Sequence, residues 1–235
     1  MPALRSRGFT LIEVLVAIGV MALMSLMAWR GIDGMLRNQT GLQQRSDHIR
    51  TLQAGLAQWQ VDLDQATELT GTPSWDWNGQ VLRLTRRSAT GDDVQVVAWT
   101  WRSNPTSVDG GQWLRWQSQP LNTVKDWQTA WQLAAQWGQT PDDSTRSGQT
   151  QIHPLKGWQI FVHRGGSWTN PLSSDVVTPN GAPKTGNPAV GTIPDGVRLV
   201  LDLPASSPLA SGAVAGAGGA VTLDWVRPTF SGPKS

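Results

Sequence analysis

Glu13 is the one charged side chain in the apolar run from Phe9 to Trp29. As an α-helix rising about 1.5 Å per residue, that run would cover a hydrocarbon core of roughly 30 Å. A carboxylate inside a bilayer costs roughly 2.5 kcal/mol or more unless a positive group pairs with it. The chemistry we expect of Glu13 is therefore ion pairing within a membrane, and it requires a partner.

The other acidic side chains and the histidines lack the spacing of a metal or catalytic site. Asp62 and Asp64 are two positions apart, so on a helix they lie on different faces. The pairs Asp92-Asp93 and Asp142-Asp143 could help to bind calcium, but the dense ligand pattern of a calcium loop is missing, and we favour solvated turns. The histidines are dispersed, at His48, His153 and His163. Without cysteine they give no zinc spacing, and we predict no metal site.

Motifs for catalysis or cofactor binding are also missing from the sequence. The chain has neither the G-x-S-x-G turn of hydrolases nor the G-x-x-x-x-G-K-[ST] phosphate loop. The glycine-rich run Gly212 to Gly219 neither follows a convincing strand nor opens a helix, so we interpret it as a linker. We expect no cofactor and no enzymatic activity.

The residues around Glu13 resemble a known processing site. The string Gly8-Phe9-Thr10-Leu11-Ile12-Glu13, preceded by Arg5 and Arg7, is similar to the site in type IV prepilins and in the pseudopilins of type II secretion. The resemblance implies that a prepilin peptidase cuts between Gly8 and Phe9 and that Phe9 is then N-methylated. It also implies that Glu13 pairs with the terminal amine of a neighbouring subunit, which would supply the missing cation.

Residues 1–8 are thus expected to form a cleaved leader, and residues 9–29 a single transmembrane helix in the lipid bilayer. Arg5 and Arg7 favour a cytoplasmic N-terminus, although Arg30 and Arg37 beyond the span weaken this charge bias. With the resemblance, we expect the bacterial inner membrane, with the C-terminal domain in the periplasm. A secretory signal peptide would end in an A-x-A-like site, which is missing after Trp29, and a plain signal anchor would not require Glu13.

The composition argues against nucleic-acid binding, a major type IV pilin and a Trp-based binding surface. Removing Arg5 and Arg7 leaves 17 of the 19 basic side chains against 17 acidic ones, so no basic excess points to nucleic acid. The chain has no cysteine, whereas major type IV pilins usually close a C-terminal loop with a disulfide. Its 14 Trp residues could form a binding surface, but most fall in strand-like or helix-like patterns, and we expect core packing.

A long helix must carry Glu13, and apolar spacings of three and four predict that it continues to about Ala66. The residues on one face of this continuation are Leu36, Leu42, Ile49, Leu52, Leu56, Trp59 and Leu63. Residues 30–66 are therefore predicted to be amphipathic. The amphipathic face requires a surface to pack on.

Residues 67–235 are predicted to form a β-rich domain that supplies this surface. The strand-like runs are 81–85, 94–102, 113–116, 157–164, 196–203 and 220–226, with a short helix predicted at 124–137. We expect a hairpin through Asp109-Gly110-Gly111, and antiparallel pairing of the last two strands with Val197, Leu199 and Leu201 on one face. The predicted fold class is α+β, a long N-terminal helix packed on an antiparallel β-rich domain.

The order of these features resembles that of J-type minor pseudopilins of type II secretion. The matching segments are the helix end at Trp59–Asp64, a Trp-Arg and a Leu-Arg strand, Gly165-Gly166-Ser167-Trp168, and Ile193–Leu199. Two stretches, Thr178–Thr192 and Pro204–Gly219, look like inserted loops, and residues 122–150 do not align easily with the family.

The J-type resemblance implies a structural subunit at the tip of a periplasmic pseudopilus that helps to export folded proteins. Its implied partners are I-type and K-type minor pseudopilins, the major pseudopilin and the inner-membrane assembly platform. Two alternatives stay open: a minor pilin of a type IV pilus, and a filament-tip module whose Trp side chains bind a ligand.

Overall fold

The computed structural model describes residues 10–88, 91, 93–164, 166–172, 191–205, 207 and 219–228. Its first element is α1 (Leu11–Asp64). The helix ends two residues before the predicted Ala66, which instead forms a β-bridge with Arg86. The chain divides into two compact units, one up to Asp47 and one from His48 onward. The first unit, where described, is Thr10 and the beginning of α1.

The second unit contains the rest of α1, a second helix and two antiparallel sheets. The strands are β1 (Trp75–Trp77), β2 (Val81–Arg87), β3 (Val94–Ser103), β4 (Gly111–Gln117), β5 (Gln149–Leu155), β6 (Gly157–Arg164), β7 (Ser167–Thr169), β8 (Gly196–Asp202) and β9 (Ala220–Val226). The helix α2 (Val124–Gln139) follows β4, and a short 3-10 turn (Thr145–Gly148) precedes β5. The predicted fold class, α+β with antiparallel sheets after a long apolar helix, is confirmed.

The first sheet has the strand order β1-β2-β3-β4-β5. The predicted hairpin is present, since β3 and β4 pair with Trp101 opposite Trp113. Gly110 in its loop has a φ of +91°, which a side chain would strain, so a glycine is required there. Sequence patterns missed two strands at the edges of this sheet. β1 is only three residues long, and β5 begins with polar residues and contains Pro154, which an edge strand tolerates.

The second sheet has the order β7-β6-β8-β9. The predicted antiparallel pairing of the last two strands is confirmed, with Leu199 of β8 opposite Leu223 of β9. Val197, Leu199 and Leu201 are all fully buried, as their shared face requires. The two predicted inserted loops and the Gly212–Gly219 run lie largely outside the described residues.

Two apolar clusters cover the two faces of the first sheet. One cluster joins α1 residues Leu52, Trp59 and Leu63 to inward residues of both sheets. The other joins α2 to the opposite face of the first sheet, where Gly138 approaches Val81 so closely that a Cβ would clash. Because both faces are covered, β3 is buried along most of its length and shows only partial alternation in sequence.

Candidate functional site

The first turn of α1 holds Glu13 through Thr10. The Thr10 backbone N–H donates to Glu13 Oε2 at 3.1 Å, and the Thr10 hydroxyl donates to the same oxygen at 2.9 Å. Since α1 begins at Leu11, Glu13 is its third residue, the position from which a Glu side chain caps the helix start. A carboxylate there also meets the positive end of the helix dipole.

This capping role was missed in sequence reasoning, although a signal for it exists. Thr10 and Glu13 have the T-x-x-E spacing that marks a helix start. The other predicted residues of the processing site, Arg5, Arg7, Gly8 and Phe9, lie outside the described residues. The cleavage and methylation predictions therefore stay predictions.

The apolar segment that follows Glu13 is exposed along its length. Its large apolar side chains from Leu11 to Trp29 have between 45% and 78% of their surface accessible. Within the described residues, α1 is the only helix long and apolar enough to cross a membrane. The exposure means that nothing in the described chain covers this segment.

A second polar site lies in the interior, around Asp62 near the end of α1. Its Oδ1 accepts hydrogen bonds from Arg86 Nη1 at 2.5 Å, Arg115 Nη2 at 2.9 Å and Gln58 Nε2 at 2.9 Å. Its Oδ2 accepts from Arg115 Nε at 2.7 Å and Trp99 Nε1 at 2.9 Å. One fully buried carboxylate therefore ties α1 to β2, β3 and β4.

The prediction that Asp62 and Asp64 lie on different faces agrees with their partners. Asp62 binds the first sheet, whereas Asp64 accepts a bond from Trp225 Nε1 of β9 at 2.7 Å. Sequence reasoning missed that Arg86 and Arg115 pair with Asp62. Arg86 is in phase with the inward residues Leu82 and Leu84, and a charged residue on an inward face indicates a buried partner.

The structure brings together two histidines that are far apart in the sequence. The ring of His48 on α1 meets the ring of His153 on β5 edge to face, with centroids 5.6 Å apart. Burial, and to a smaller extent the nearby His48, lower the pKa of His153 to about 4. In the part of the chain that the structure describes, neither ring nitrogen of His153 has a hydrogen-bond partner, so the buried ring is held neutral.

The acidic turn at Asp142-Asp143 has a local structural role. Asp142 Oδ1 accepts bonds from the Ser144 hydroxyl at 2.7 Å and the Thr145 N–H at 2.8 Å, and these bonds lower the pKa of its carboxyl. Asp143 is fully exposed. Asp92 lies outside the described residues. Within the described chain, no group of three or more His, Cys, Asp or Glu side chains is arranged to hold a metal ion.

Most Trp side chains are in the core, as predicted. Of the 14, ten are buried, Trp101, Trp158 and Trp168 are partly buried, and Trp29 is exposed. Trp59, Trp99 and Trp113 contact one another, with centroids 4.7 to 6.2 Å apart. Their rings therefore fill the space between α1 and the first sheet.

Comparison with known proteins bears on the N-terminus alone. The family model for the prokaryotic N-terminal methylation motif matches residues 4–29. No curated protein and no solved structure matches the chain. The chain thus carries a prepilin-like leader motif at the start of a pilin-like α+β fold, which supports a place in the type IV pilin-like superfamily, a group of membrane-anchored structural proteins that prepilin peptidase processes.

Proposed function

We propose that this chain is a J-type minor pseudopilin of type II secretion, assembled at the tip of a periplasmic pseudopilus that helps to export folded proteins. Residues 1–8 form the leader, and prepilin peptidase cuts between Gly8 and Phe9. Residues 9–29 cross the inner membrane, α1 continues from there to Asp64, and residues 67–235 form the periplasmic domain. The partners are I-type and K-type minor pseudopilins, the major pseudopilin and the assembly platform.

The observation that carries this proposal is the exposed apolar segment of α1 with Glu13 at its start. In water, side chains as exposed as Leu11, Met21 and Met27 would leave a large unfavourable apolar surface. Lipid covers such a segment before assembly, and the helices of neighbouring subunits cover it afterwards. The match of residues 4–29 to the methylation motif supports the same order of events.

The geometry of Glu13 suggests how a subunit is aligned on entry. Both Thr10 bonds go to Oε2, so Oε1 takes part in neither. The terminal amine of a neighbouring, cleaved subunit can therefore approach Oε1 without breaking the helix cap. The ion pair offsets the cost of the carboxylate in an apolar environment and fixes the axial position of the subunit.

Several features favour a secretion pseudopilin over the alternatives. The absence of cysteine and the J-like order of the β-rich elements favour it over a type IV pilus subunit. The Trp-based binding module loses its basis, because the one exposed Trp, Trp29, stands at the end of the proposed membrane span. Co-purification with secretion-type minor subunits supports the proposal, whereas co-purification with pilus subunits contradicts it.

Substitutions of Glu13 separate its two roles. Glu13→Gln keeps a side chain that can cap the helix but removes the charge, and Glu13→Val removes both. We expect both variants to insert in the membrane and fold normally, and both to lose most of their filament-incorporated fraction, measured by cross-linking to other subunits. Normal incorporation of Glu13→Gln would mean that Glu13 acts only as a cap.

Intact-mass measurement of the mature protein tests the processing step. We expect a chain that begins at Phe9 with one added methyl group, and a retained Met1 would contradict the proposal. Gly8→Ala is the mild control, since it adds one methyl group at the cut. Gly8→Lys should block cleavage, because it places a bulky charged side chain beside the scissile bond.

A further inference from the structure

The buried ion cluster around Asp62 has more positive than negative charge. Arg86 and Arg115 are both at least nine-tenths buried at the side chain, and both pair with the single carboxylate of Asp62. Among the described residues, two guanidinium groups and one carboxylate leave one positive charge without an acidic partner in the cluster. A buried charge without a counter-charge is costly, so the cluster favours the approach of one more anion.

A cavity opens directly beside this cluster. It has a volume of about 320 Å³, and Gln58 and Arg115, two of the side chains that bind Asp62, form part of its wall. Thr51 of α1 and Thr150 and Gln151 of β5 supply further polar groups to the lining. Arg115 binds Asp62 through Nε and Nη2, so Nη1 is the guanidinium nitrogen left for another acceptor.

From this arrangement we infer that the cavity between α1 and β5 is a binding site for a single carboxylate. The charge excess of one matches a monoanion, whereas a dianion such as sulfate would leave the cluster with a new uncompensated charge. A carboxylate can accept a bond from Arg115 Nη1 and further bonds from the Gln58 and Gln151 amides. The carboxylate belongs either to a small free acid or to an Asp or Glu of a bound polypeptide.

The strand register offers a direct test of the site. Thr150 is directly opposite Arg115 in the β4–β5 pair, so their side chains share a face about 5 Å apart. Thr150→Glu would place a built-in carboxylate beside Arg115, and Thr150→Gln is the matched neutral control of the same size. Thr150 and its neighbour Gln151 are both exposed, so either substitution of Thr150 changes little of the core packing.

The experiment measures the melting temperature of the full chain in detergent by Trp fluorescence, in sodium acetate and in sodium chloride of equal ionic strength at pH 7. For the unsubstituted chain and for Thr150→Gln we expect acetate to raise the melting temperature by about 2–4 °C more than chloride does. Sodium sulfate stabilises proteins generally because it is excluded from their surface, so its gain over chloride should be equal in Thr150→Gln and Thr150→Glu. Thr150→Glu should melt above Thr150→Gln and lose its acetate response.

Two results would overturn the inference: no acetate-specific gain in the unsubstituted chain, or a gain as large in Thr150→Glu as in Thr150→Gln. The first result is independent of whether the variant folds. The peptides N-acetyl-Ala-Asp-Ala-amide and N-acetyl-Ala-Asn-Ala-amide distinguish the two sources of the carboxylate. A larger gain from the Asp peptide than from acetate, with none from the Asn peptide, indicates a polypeptide partner, and a gain from acetate alone indicates a free acid.

Discussion

The two parts of α1 on either side of Asp47 differ in what covers their apolar side chains. From Leu11 to Asp47 the large apolar residues are exposed, including Leu36 and Leu42, which the spacing pattern placed on the inner face. From His48 onward the helix buries Leu52, Trp59 and Leu63 of the predicted face, with Ile49 and Leu56 partly buried, and it also buries Gly55 and Asp62. The run from Leu11 to Trp29 is apolar all round and requires an apolar environment from outside the chain, whereas the one-sided helix from His48 onward finds its cover within the chain.

The charged residues differ between the two parts in the same way. Asp33 and Arg37 pair at 2.7 Å on the exposed surface one turn apart, and water competes for both groups. Asp62, in the covered part, is shielded from water and accepts hydrogen bonds from side chains of β2, β3 and β4. An aspartate is therefore a solvated surface charge in the exposed part of α1 and a buried hydrogen-bond acceptor that links α1 to the first sheet in the covered part.

The largest expected difference in unfolding free energy is between substitutions of the two Trp residues of α1. Trp59→Ala removes a fully buried ring that contacts Trp99, Trp113 and Trp158, and we expect it to lower the free energy of unfolding by about 3–5 kcal/mol. Trp29→Ala should leave that free energy within about 0.5 kcal/mol, because the ring is 71% exposed. Denaturant unfolding of the full chain in detergent measures both. Equal losses would show that the two parts of α1 are not covered differently.

Substitutions of the aspartates of α1 should differ next most in their effect on the unfolding free energy. Asp62→Asn keeps the size of the side chain but leaves Arg86 and Arg115 buried without a counter-charge, and we expect a loss of about 3–5 kcal/mol. Asp33→Asn breaks only an exposed pair and should cost less than about 0.5 kcal/mol. Asp64→Asn should be intermediate, since it weakens one hydrogen bond to Trp225. A small loss for Asp62→Asn would mean that the arginines find other partners.

Periodicity predicted the long helix, the core strands and the buried Trp residues because each element has one apolar face or a continuous apolar run. The Leu82, Leu84 and Arg86 alternation was visible in sequence, but no pattern links Arg86 and Arg115 to an aspartate 24 and 53 residues away. No sequence pattern links His48 to His153 either, although their rings are in contact. Such contacts depend on how β4 and β5 pair and pack on α1, which local spacing does not encode.

His153 provides a pH-dependent test at the point where the covered part of α1 begins. The folded chain holds its pKa at about 4, while an unfolded histidine titrates near about 6.5, so the unfolded chain binds more protons between these values. Stability is therefore fully present above about pH 6.5 and falls by up to about 3 kcal/mol as the pH drops toward 4.

A His153→Phe variant should remove this dependence, because it keeps an aromatic ring beside His48 and Trp113 without a titrating group. Unfolding free energies at pH 7, 6, 5 and 4.5 measure the slope in both proteins. Carboxylates contribute to the slope in both, so the difference between the two curves is the quantity to compare. Parallel curves would show that His153 is not the group that senses pH.

Two glycines of α1 give the smallest and most direct comparison of the two parts. A Cβ on Gly55 would lie 2.2 Å from Ile152 Cγ2 of β5, so Gly55→Ala should force the helix and the strand apart and cost about 1–3 kcal/mol. Among the described residues nothing lies within 4 Å of a Cβ added at Gly41, and Gly41→Ala should instead add up to about 1 kcal/mol of helix stability. The first change is read from denaturant unfolding and the second from helix content by circular dichroism. Opposite signs for one chemical change would show that contact with β5, and not helix propensity, governs the covered part of α1.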